Sequence, residues 1–424
     1  MKRYFVWFAV AALVAGSACR RAETGTPLGT TYMQIARPAI WRVLPHSQAE
    51  TLGLAPGDVV VSYNDEPVKT TEDLVQLQFR AVASPGHVPM TVLRGDEEMN
   101  LQVEPGVLGI LPDAERYTAS LAVAIKDVLG HYGVTVDYDW LAALTGESFA
   151  FKAIRGSGLC RSEWPGGRVG DYLDGLTEYY GLTFRLVFAR DDADSARPAS
   201  DVQRDARTAV RDELSRGRLV LVLEAEPGYG GEHWAVASRY GQDDSLVYGY
   251  TLGSAGEVPL SGTFVEAYEV GHHASKEPEP ADMLTTVLTQ ALELGQAYAD
   301  SGWQSGIAAY DVWIGALDTV PFCPVCQDSG AACFDRLVWA LASDKESANR
   351  FLHDMRDALP GQAEIVDDII SGNETIIGKL NGIIQSGIRT GTQERQQKLA
   401  RVVNEIQLIE AGLLGRYEDL IGEL

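Results

Sequence analysis

Three cysteines in the last quarter of the chain have a spacing that could bind a metal, support redox chemistry or form disulfides. Cys323 and Cys326 form a Cys-x-x-Cys pair, and Cys333 follows in the same short run. A zinc site would need a fourth ligand, and no histidine lies nearby in the sequence. A thioredoxin-like redox role would need a preceding strand, which this segment lacks. Structural disulfides are therefore favoured, zinc stays an alternative, and no cofactor is predicted.

Cys160 is a further thiol that could act as a nucleophile. The neighbouring Arg161 could lower the pKa of this thiol and increase its thiolate fraction. The two residues lie on a glycine-flanked loop, far beyond the start of the preceding predicted helix. This position favours a disulfide or a buried thiol over a nucleophile.

Cys19 ends an N-terminal segment that is typical of a secretion signal. A positively charged start, Lys2 and Arg3, precedes an apolar stretch at 4–15 and the small residues Gly16-Ser17-Ala18. The segment resembles a bacterial lipoprotein signal, which implies that Cys19 is lipidated and becomes the first residue of the mature chain. Secretion with cleavage after Ala18 and no lipid is the alternative.

The lipoprotein resemblance implies a cell-envelope location, with the lipid anchor as the link to the membrane. Arg20 and Arg21 follow the cysteine instead of the aspartate of inner-membrane retention. In a cell with two membranes, this implies an outer-membrane protein that faces the periplasm. In that oxidising compartment the four remaining cysteines could form disulfides.

The composition is strongly acidic and excludes some classes of partner. The 424 residues carry a formal net charge of −24. Nucleic-acid binding depends on Lys and Arg that neutralise phosphates, so no nucleic-acid partner is predicted. The same charge argues against peripheral binding to anionic lipid. At roughly 150 residues per domain, the length accommodates two or three hydrophobic cores.

The stretch 49–65 contains the most specific pattern of the chain. It reads Ala-x-x-x-Gly-Leu, then Ala55-Pro56-Gly57-Asp58, an apolar strand at 59–63 and a turn at Asn64-Asp65. A helix is predicted at 71–82, and strands at 88–93 and 99–103. This order resembles the PDZ domains of bacterial periplasmic proteases, over residues 25–105.

The PDZ resemblance implies that the domain binds the C-termini of peptides or proteins in the envelope. In that mode a peptide adds a strand to a sheet edge, and a loop of backbone amides holds its carboxylate. The matching residues here would be Leu28, Gly29, Thr30 and Thr31, with the peptide between a strand at 31–35 and the helix at 71–82. A PDZ fold that docks only against its own chain is the alternative.

The middle of the chain has a helical layer followed by antiparallel strands, which is an α+β pattern. Helices are predicted at 117–131, 138–144, 170–180 and 202–216. Strands are predicted at 182–188, 219–224, 233–239 and 245–250. The segments His131-Tyr132-Gly133, 144–149 and Gly231-Glu232-His233-Trp234 resemble the papain-like fold of bacteriocin-processing peptidases. They also resemble the N-terminal domain of butirosin-type aminoglycoside acyltransferases.

The papain-like resemblance implies a nucleophile at the start of the first helix and a histidine base on a facing strand. His233 occupies the position of the base, but Ser120 stands where the cysteine would be. Glu115 is nearest to the position of the oxyanion glutamine, and the orienting aspartate is absent unless Asp243 or Asp244 replaces it. Because a serine without a supported base is a poor nucleophile, the resemblance implies an inactive enzyme fold.

The sequence therefore predicts a multidomain chain. A signal peptide at 1–18 and a linker at 19–25 precede the PDZ domain at 26–105. A degenerate papain-like domain follows at 107–318, and an α-helical region at 319–424. In the last region helices are predicted at 334–342, 348–359, 363–371, 375–388 and 394–420.

Two functions compete. The favoured hypothesis is a lipid-anchored binding protein without catalysis. The alternative is an acyltransferase or cysteine-peptidase-like enzyme that uses His233 with Ser120 or Cys160.

Overall fold

The computed structural model describes most of the chain from residue 39 onward. All described residues belong to one compact unit. They are residues 39–43, 47–55, 57–69, 71–81, 86–95, 97–105, 108, 110–112, 119–149, 151–154, 173–190, 197–225, 232–241, 246–251, 257–260, 262–274, 279–296, 299–300, 303–319, 332–385 and 393–424.

The first part of the structure is an antiparallel sheet with its own hydrophobic core. In chain order its elements are β1 (Ile40–Val43), α1 (Gln48–Thr51), β2 (Val59–Tyr63), β3 (Glu66–Pro67), α2 (Thr71–Ala81), β4 (Val88–Arg94), β5 (Glu97–Val103) and β6 (Ile110–Pro112). Four strands form a sheet in the order β3-β2-β4-β5. Leu74, Leu77 and Ala81 of α2 are buried in the core that this sheet forms. The helix predicted at 71–82 is thus present over Thr71–Ala81, and Val82 lies outside the described residues.

The turn between β2 and β3 follows from its two residues. Asn64 and Asp65 both have positive φ, 53° and 61°, which is the geometry of a type I′ hairpin turn. Asparagine and aspartate tolerate this left-handed conformation better than other non-glycine residues. The turn predicted at Asn64-Asp65 is therefore confirmed.

The central part is a six-stranded antiparallel sheet between helices. Its elements are α3 (Ser120–His131), α4 (Tyr138–Leu144), β7 (Lys152–Ile154), α5 (Leu173–Tyr180), β8 (Leu182–Ala189), α6 (Ala199–Ser215), β9 (Leu219–Ala225), β10 (Glu232–Tyr240), β11 (Val247–Thr251), β12 (Val258–Pro259) and β13 (Phe264–His272). The strand order is β12-β11-β10-β9-β13-β8. The predicted combination of helices with antiparallel strands is thus confirmed.

Different helices cover the two faces of this sheet. On one face, Trp234 and Val236 of β10 share a core with buried residues of α3 such as Leu121 and Ile125. On the other face, Ala235 and Ala237 share a separate core with Ala206 and Val210 of α6. Alternate residues of a strand lie on opposite faces, so these two cores identify the face to which each side chain of β10 belongs.

The C-terminal part is helical, as predicted. Its elements are α7 (Pro280–Gly295), β14 (Ala299–Asp300), β15 (Trp303–Ser305), α8 (Gly306–Thr319), α9 (Ala332–Ala358), a 3₁₀ turn (Pro360–Gln362), α10 (Ala363–Gln385) and α11 (Gln393–Glu423). Buried residues of α9, α10 and α11 belong to the same core cluster as α3, α4 and Trp234. The helical part and the α3 face of the sheet therefore share one hydrophobic core.

Two predicted helix breaks in this part are wrong. The helices predicted at 334–342 and 348–359 are the single helix α9, and those at 363–371 and 375–388 fall in the single helix α10. The polar run at 343–347 does not form a loop, because Lys345 is buried and its Nζ lies 2.6 Å from Glu410 Oε1. At the second position Asn373 is buried, and its Nδ2 donates to Asn349 Oδ1 at 2.8 Å.

None of the helices in the described ranges is long and apolar enough to cross a membrane.

Candidate functional site

The strand β6 follows the four-stranded sheet of the first part of the structure, and its Ile110 packs against the hydrophobic core of that part, here called the first core. β6 pairs antiparallel with β1, with Arg42 opposite Leu111 and Val43 opposite Ile110. On its other side, β1 contacts the start of β2, since Ile40 N donates to Asp58 O at 2.6 Å. Within the described ranges no further strand pairs with β6.

The segment before β6 is fixed to α1 by backbone and side-chain hydrogen bonds. Ala49 N donates to Leu108 O at 2.9 Å. Gln48 bonds both backbone groups of Glu104: its Nε2 donates to Glu104 O at 3.2 Å, and its Oε1 accepts from Glu104 N. Leu108 is fully buried, and Ile110 packs against the same core. These bonds set the position at which β6 begins.

The helix α2 belongs to the same core as β6. Leu74 and Leu77 of α2 lie in one hydrophobic cluster with Leu108, against which Ile110 packs. A strand edge and a helix on one small core are the two parts between which a PDZ domain holds a peptide. β6 and α2 therefore belong to one hydrophobic core.

The sequence prediction missed this strand as a candidate for binding. The predicted domain boundary at residue 105 excludes Leu108 and β6 from the PDZ domain. The pairing of β6 with β1 is a long-range contact, which local pattern does not indicate.

Several predicted site residues lie outside the described residues. These are Cys19, Leu28, Gly29, Thr30, Thr31, Cys160, Cys323 and Cys326. Cys333 lies in the first turn of α9. Among the residues that the structure does describe, no three His, Cys, Asp or Glu side chains are grouped as a metal site would require. The disulfide, zinc and lipidation hypotheses remain predictions.

Ser120 lies at the start of α3, where the resemblance to papain-like enzymes requires a nucleophile. It is 4% exposed, and its Oγ accepts a hydrogen bond from Trp234 N at 3.0 Å. The bond joins the first residue of α3 to the strand that carries His233. In this arrangement the hydroxyl links a helix to a strand within a buried core.

The amino end of α3 is already occupied by side chains of the chain itself. Ala122 N donates to Glu147 Oε2 at 3.2 Å, and Ala119 N donates to Tyr138 OH at 3.0 Å. The positive end of a helix dipole can lower the pKa of a nucleophile placed there. Here the side chain of Glu147 accepts from an amide at that end of α3, so this amide is not available to a group on Ser120.

His233 pairs with a carboxylate that the sequence prediction did not identify. His233 on β10 lies opposite Glu224 on β9, and its Nε2 is 3.3 Å from Glu224 Oε2. Glu224 is buried, and its Oε1 accepts from Gly262 N at 3.0 Å. No signal in the local sequence identifies Glu224, because its partnership depends on the register between two strands. The loop of Asp243 and Asp244 lies outside the described residues.

The alternation of β10 separates His233 from the helix of Ser120. Trp234 and Val236 pack on the α3 face, whereas Ala235 packs on the α6 face. His233 has the parity of Ala235, so it belongs to the α6 face. The structure therefore brings Ser120 to the backbone of Trp234 and brings the imidazole of His233 to Glu224.

The comparisons with known proteins agree with the first core. A family model described as a PDZ domain matches residues 40–94. The chain therefore contains a PDZ domain, a type of domain that binds peptides or proteins. The prediction of this domain within residues 26–105 is confirmed for the matched residues. No curated protein matches the chain.

Proposed function

We propose that this chain is a binding protein whose PDZ domain captures the C-terminal end of a peptide or protein along β6. The observation that supports this most directly is that β6, which lies beyond the matched residues 40–94, pairs with β1 and that its Ile110 packs against the core of the matched domain. A peptide that adds to β6 would extend the pair of β1 and β6 by main-chain hydrogen bonds. Its side chains would alternate between solvent and the region next to α2.

The carboxylate of the ligand would bind the segment that enters β6. Its sequence is Val107-Leu108-Gly109-Ile110. The contact between Leu108 O and Ala49 N holds this segment by its carbonyl group. Val107 and Gly109 lie outside the described residues. Their sequence supports the proposal that backbone amides of this segment donate to the carboxylate, as in the general mode of C-terminal capture.

A matched pair of glycine variants distinguishes this site from the loop that the sequence predicts near Gly29. Gly109→Val changes the segment before β6, and Gly29→Val changes the alternative loop. A library of ten-residue peptides with free C-terminal carboxylates would be screened against the full chain by fluorescence anisotropy. We expect Gly109→Val to weaken the best binders by at least about 10-fold, and Gly29→Val to leave their affinity unchanged.

The chemistry of the ligand is tested by amidating its C-terminus. Amidation removes the charge that the backbone amides bind, so we expect a loss of at least about 10-fold in affinity. Equal affinity for amidated peptides would contradict C-terminal capture. Loss of binding in Gly29→Val, with normal binding in Gly109→Val, would move the site to the loop at 27–30.

We infer that the central part is a papain-like domain without peptidase activity. The burial of Ser120, the hydrogen bond that its Oγ accepts, and Glu147 at the start of α3 support this inference. Thiol-directed acylating probes should leave the native protein unlabelled, and His233→Ala should not abolish any activity that is found. Stoichiometric labelling of Cys160 that disappears in His233→Ala would instead establish the alternative enzyme with a relocated nucleophile.

We also propose that the chain is anchored in the cell envelope through a lipid on Cys19. The charged start, the apolar stretch and the Ser-Ala-Cys sequence support this. Mass spectrometry of the mature N-terminus tests it, with a diacylated Cys19 as the expected result. An unmodified Cys19 thiol, or retention of Met1, would contradict it.

A further inference from the structure

The two edges of the six-stranded sheet differ in their protection against strand addition. One edge is β12, which has only two residues and ends in Pro259. The other edge is β8, which has eight residues and contains neither proline nor lysine. Short strands, proline, charged side chains and β-bulges are the usual means by which edges avoid pairing. β8 is long and lacks proline, but it contains the charged Arg185 and a register shift between Leu186 and Phe188. Among the described residues, no strand pairs with the outer side of β8.

The ladder between β8 and β13 shows which backbone groups of β8 are directed outward. Gly181 O accepts from His273 N at 2.9 Å, and Thr183 lies opposite Gly271 in the same register. Hydrogen-bonded pairs alternate with non-bonded pairs along an antiparallel ladder. The N–H and C=O groups of Leu182 and Phe184 therefore point away from β13. The regular ladder ends at Leu186, because the register shifts between Leu186 and Phe188.

Leu186 adds an apolar contact to this edge. Its side chain is 52% exposed, the second largest exposure among the large hydrophobic residues of the described ranges. It shares a strand face with Leu182 and Phe184, which are buried in or packed against the main core. Within the part of the chain that the structure describes, β8 therefore combines outward-directed backbone groups with an exposed apolar side chain.

The opposite face of β8 carries an excess of positive charge. Arg185, Arg216 and Arg218 each form an ion pair with Glu213, at 3.0, 2.5 and 3.1 Å. Arg185 and Arg218 also pair with Glu269. Three guanidinium groups thus surround two carboxylates, and each of the three is about half exposed. In a chain with a net charge of −24, this local excess is unusual.

Glu213 stays ionised in this cluster. Burial alone would raise the pKa of its carboxyl group, but the hydrogen bond from Arg185 and the charges of all three arginines lower it. Glu213 therefore keeps its negative charge. The three guanidinium groups outnumber the two acidic side chains of the cluster by one.

We propose that β8 docks an extended segment of a protein partner in which acidic and apolar residues alternate. Residues of the added strand that lie beside Arg185 would share its face and meet the arginine cluster. Their neighbours would share the face of Leu186. The complementarity in charge and the period of two both follow from the two faces of β8. This surface is separate from the PDZ domain and does not depend on the function proposed for it.

The test uses a fluorescent eight-residue peptide in which glutamate alternates with valine. Both ends are capped, so the peptide offers no C-terminal carboxylate to the PDZ domain. Binding to the full chain would be measured by anisotropy at low and high salt. We expect saturable binding that weakens as salt is raised, and no binding when lysine replaces glutamate.

N-methylation of the peptide tests whether main-chain hydrogen bonds form. Two versions, methylated on the odd or on the even amides, direct the methyl groups to opposite sides of the added strand. We expect one version to lose binding and the other to retain it, because only one set of amides faces β8. Equal binding of both versions would overturn strand addition.

Protein variants test the two faces. Arg216→Gln should weaken binding about 3-fold, because it removes the surplus charge. The matched control is Arg204→Gln, an exposed arginine of α6 that pairs with Asp201 at 2.9 Å, and it should leave binding unchanged. Leu186→Thr should weaken binding about 5-fold while preserving the backbone groups. Equal effects of Arg216→Gln and Arg204→Gln, or no effect of Leu186→Thr, would overturn the proposal.

Discussion

Arg94 binds Asp58 through two parallel hydrogen bonds. Arg94 Nε donates to Asp58 Oδ1 at 2.7 Å and Nη2 donates to Asp58 Oδ2 at 2.7 Å. Asp58 Oδ2 also accepts from Ala55 N at 2.8 Å. The aspartate is buried, so the pair ties the turn before β2 to the last residue of β4. This explains why the Gly57-Asp58 step is a strong local signal of the fold.

Asp58→Asn should destabilise the PDZ domain. The amide cannot accept two hydrogen bonds from Arg94 in the same geometry, so we expect a loss of about 2 kcal/mol in the free energy of unfolding. Hydrogen exchange of β4 amides in the full chain would measure it. Glu98→Gln, at an exposed position of β5, is the control and should leave exchange unchanged.

The effect of Asp58→Asn should depend on pH. The hydrogen bond from Arg94 is the main reason why the pKa of Asp58 lies below its ordinary value of 3.8. Because the pKa of this carboxyl group is lower in the folded state, Asp58 stabilises the fold at pH values above the pKa that it has in the unfolded chain. This stabilisation is lost as the pH falls through the pKa of Asp58 in the folded chain. The difference between wild type and Asp58→Asn should therefore be full at pH 6 and shrink below about pH 4. A constant difference across this range would contradict the ionic role of Asp58.

The PDZ domain could be predicted from the sequence because the residues that specify its turns and helix are close together in the chain. Gly57, Asn64 and Asp65 specify turns, and the apolar spacing of α2 specifies its buried face. The place of β6 could not be predicted in the same way, because β6 pairs with β1, which lies far away in the sequence. Likewise, Glu224 and His233 meet only through the register of two strands.

The helix breaks that the sequence predicts in the C-terminal part are wrong for a different reason. Polar runs such as 343–347 usually indicate a loop or a solvated face, and the sequence alone supplies no partner for a buried Lys345. Its partner Glu410 lies on another helix, and Lys345 also donates to Phe149 O at 2.9 Å. Only the tertiary packing reveals that the charge is satisfied inside the core.

Lys345→Met should strongly destabilise the helical part. The substitution leaves Glu410 buried with Tyr310 OH, at 3.1 Å, as its hydrogen-bond donor but without a positive partner. Removing one member of a buried ion pair typically costs about 3–5 kcal/mol. Chemical denaturation followed by far-UV circular dichroism would measure this loss.

The double variant Lys345→Met/Glu410→Gln is the matched comparison. It removes both charges, so we expect it to recover more than about half of the stability lost in Lys345→Met. Equal stability of the single and double variants would show that packing around Lys345, and not the unpaired charge of Glu410, dominates the effect.

Asp127 on α3 should make the chain less stable at high pH. Burial raises the pKa of this carboxyl group to about 7, and the charge of Lys126 opposes the shift only in part. The folded chain therefore binds this proton more tightly than the unfolded chain. Stability should fall as pH rises from about 3.8 to about 7, because deprotonation is favoured in the unfolded state.

Asp127→Asn should remove this dependence. We expect the variant to match wild type near pH 4 and to exceed it by on the order of 2 kcal/mol at pH 8. Urea denaturation at both pH values would test this. Asp357→Asn, at a side chain that is 83% exposed, is the control. A variant that is less stable than wild type at pH 8 would contradict the shifted pKa.

Ser120→Cys tests whether the start of α3 can activate a nucleophile. The new thiol would be buried beside the amides that already bind Glu147, so its pKa should be raised. A rise of about two units would leave about 100-fold less thiolate at neutral pH than in a free cysteine. Iodoacetamide labelling, compared with wild type as background, should therefore show one additional slow thiol in the native chain. The same thiol should react readily in urea.

Glu147→Gln in the Ser120→Cys background separates charge from burial. Removing the carboxylate frees the positive end of α3 to stabilise a thiolate, so native labelling should become faster than in Ser120→Cys alone. If the rates are equal, burial and the contact with Trp234 N control the thiol. If Ser120→Cys already reacts as fast as a free cysteine at neutral pH, the helix start is an active nucleophile site. The inference of a non-catalytic domain would then be wrong.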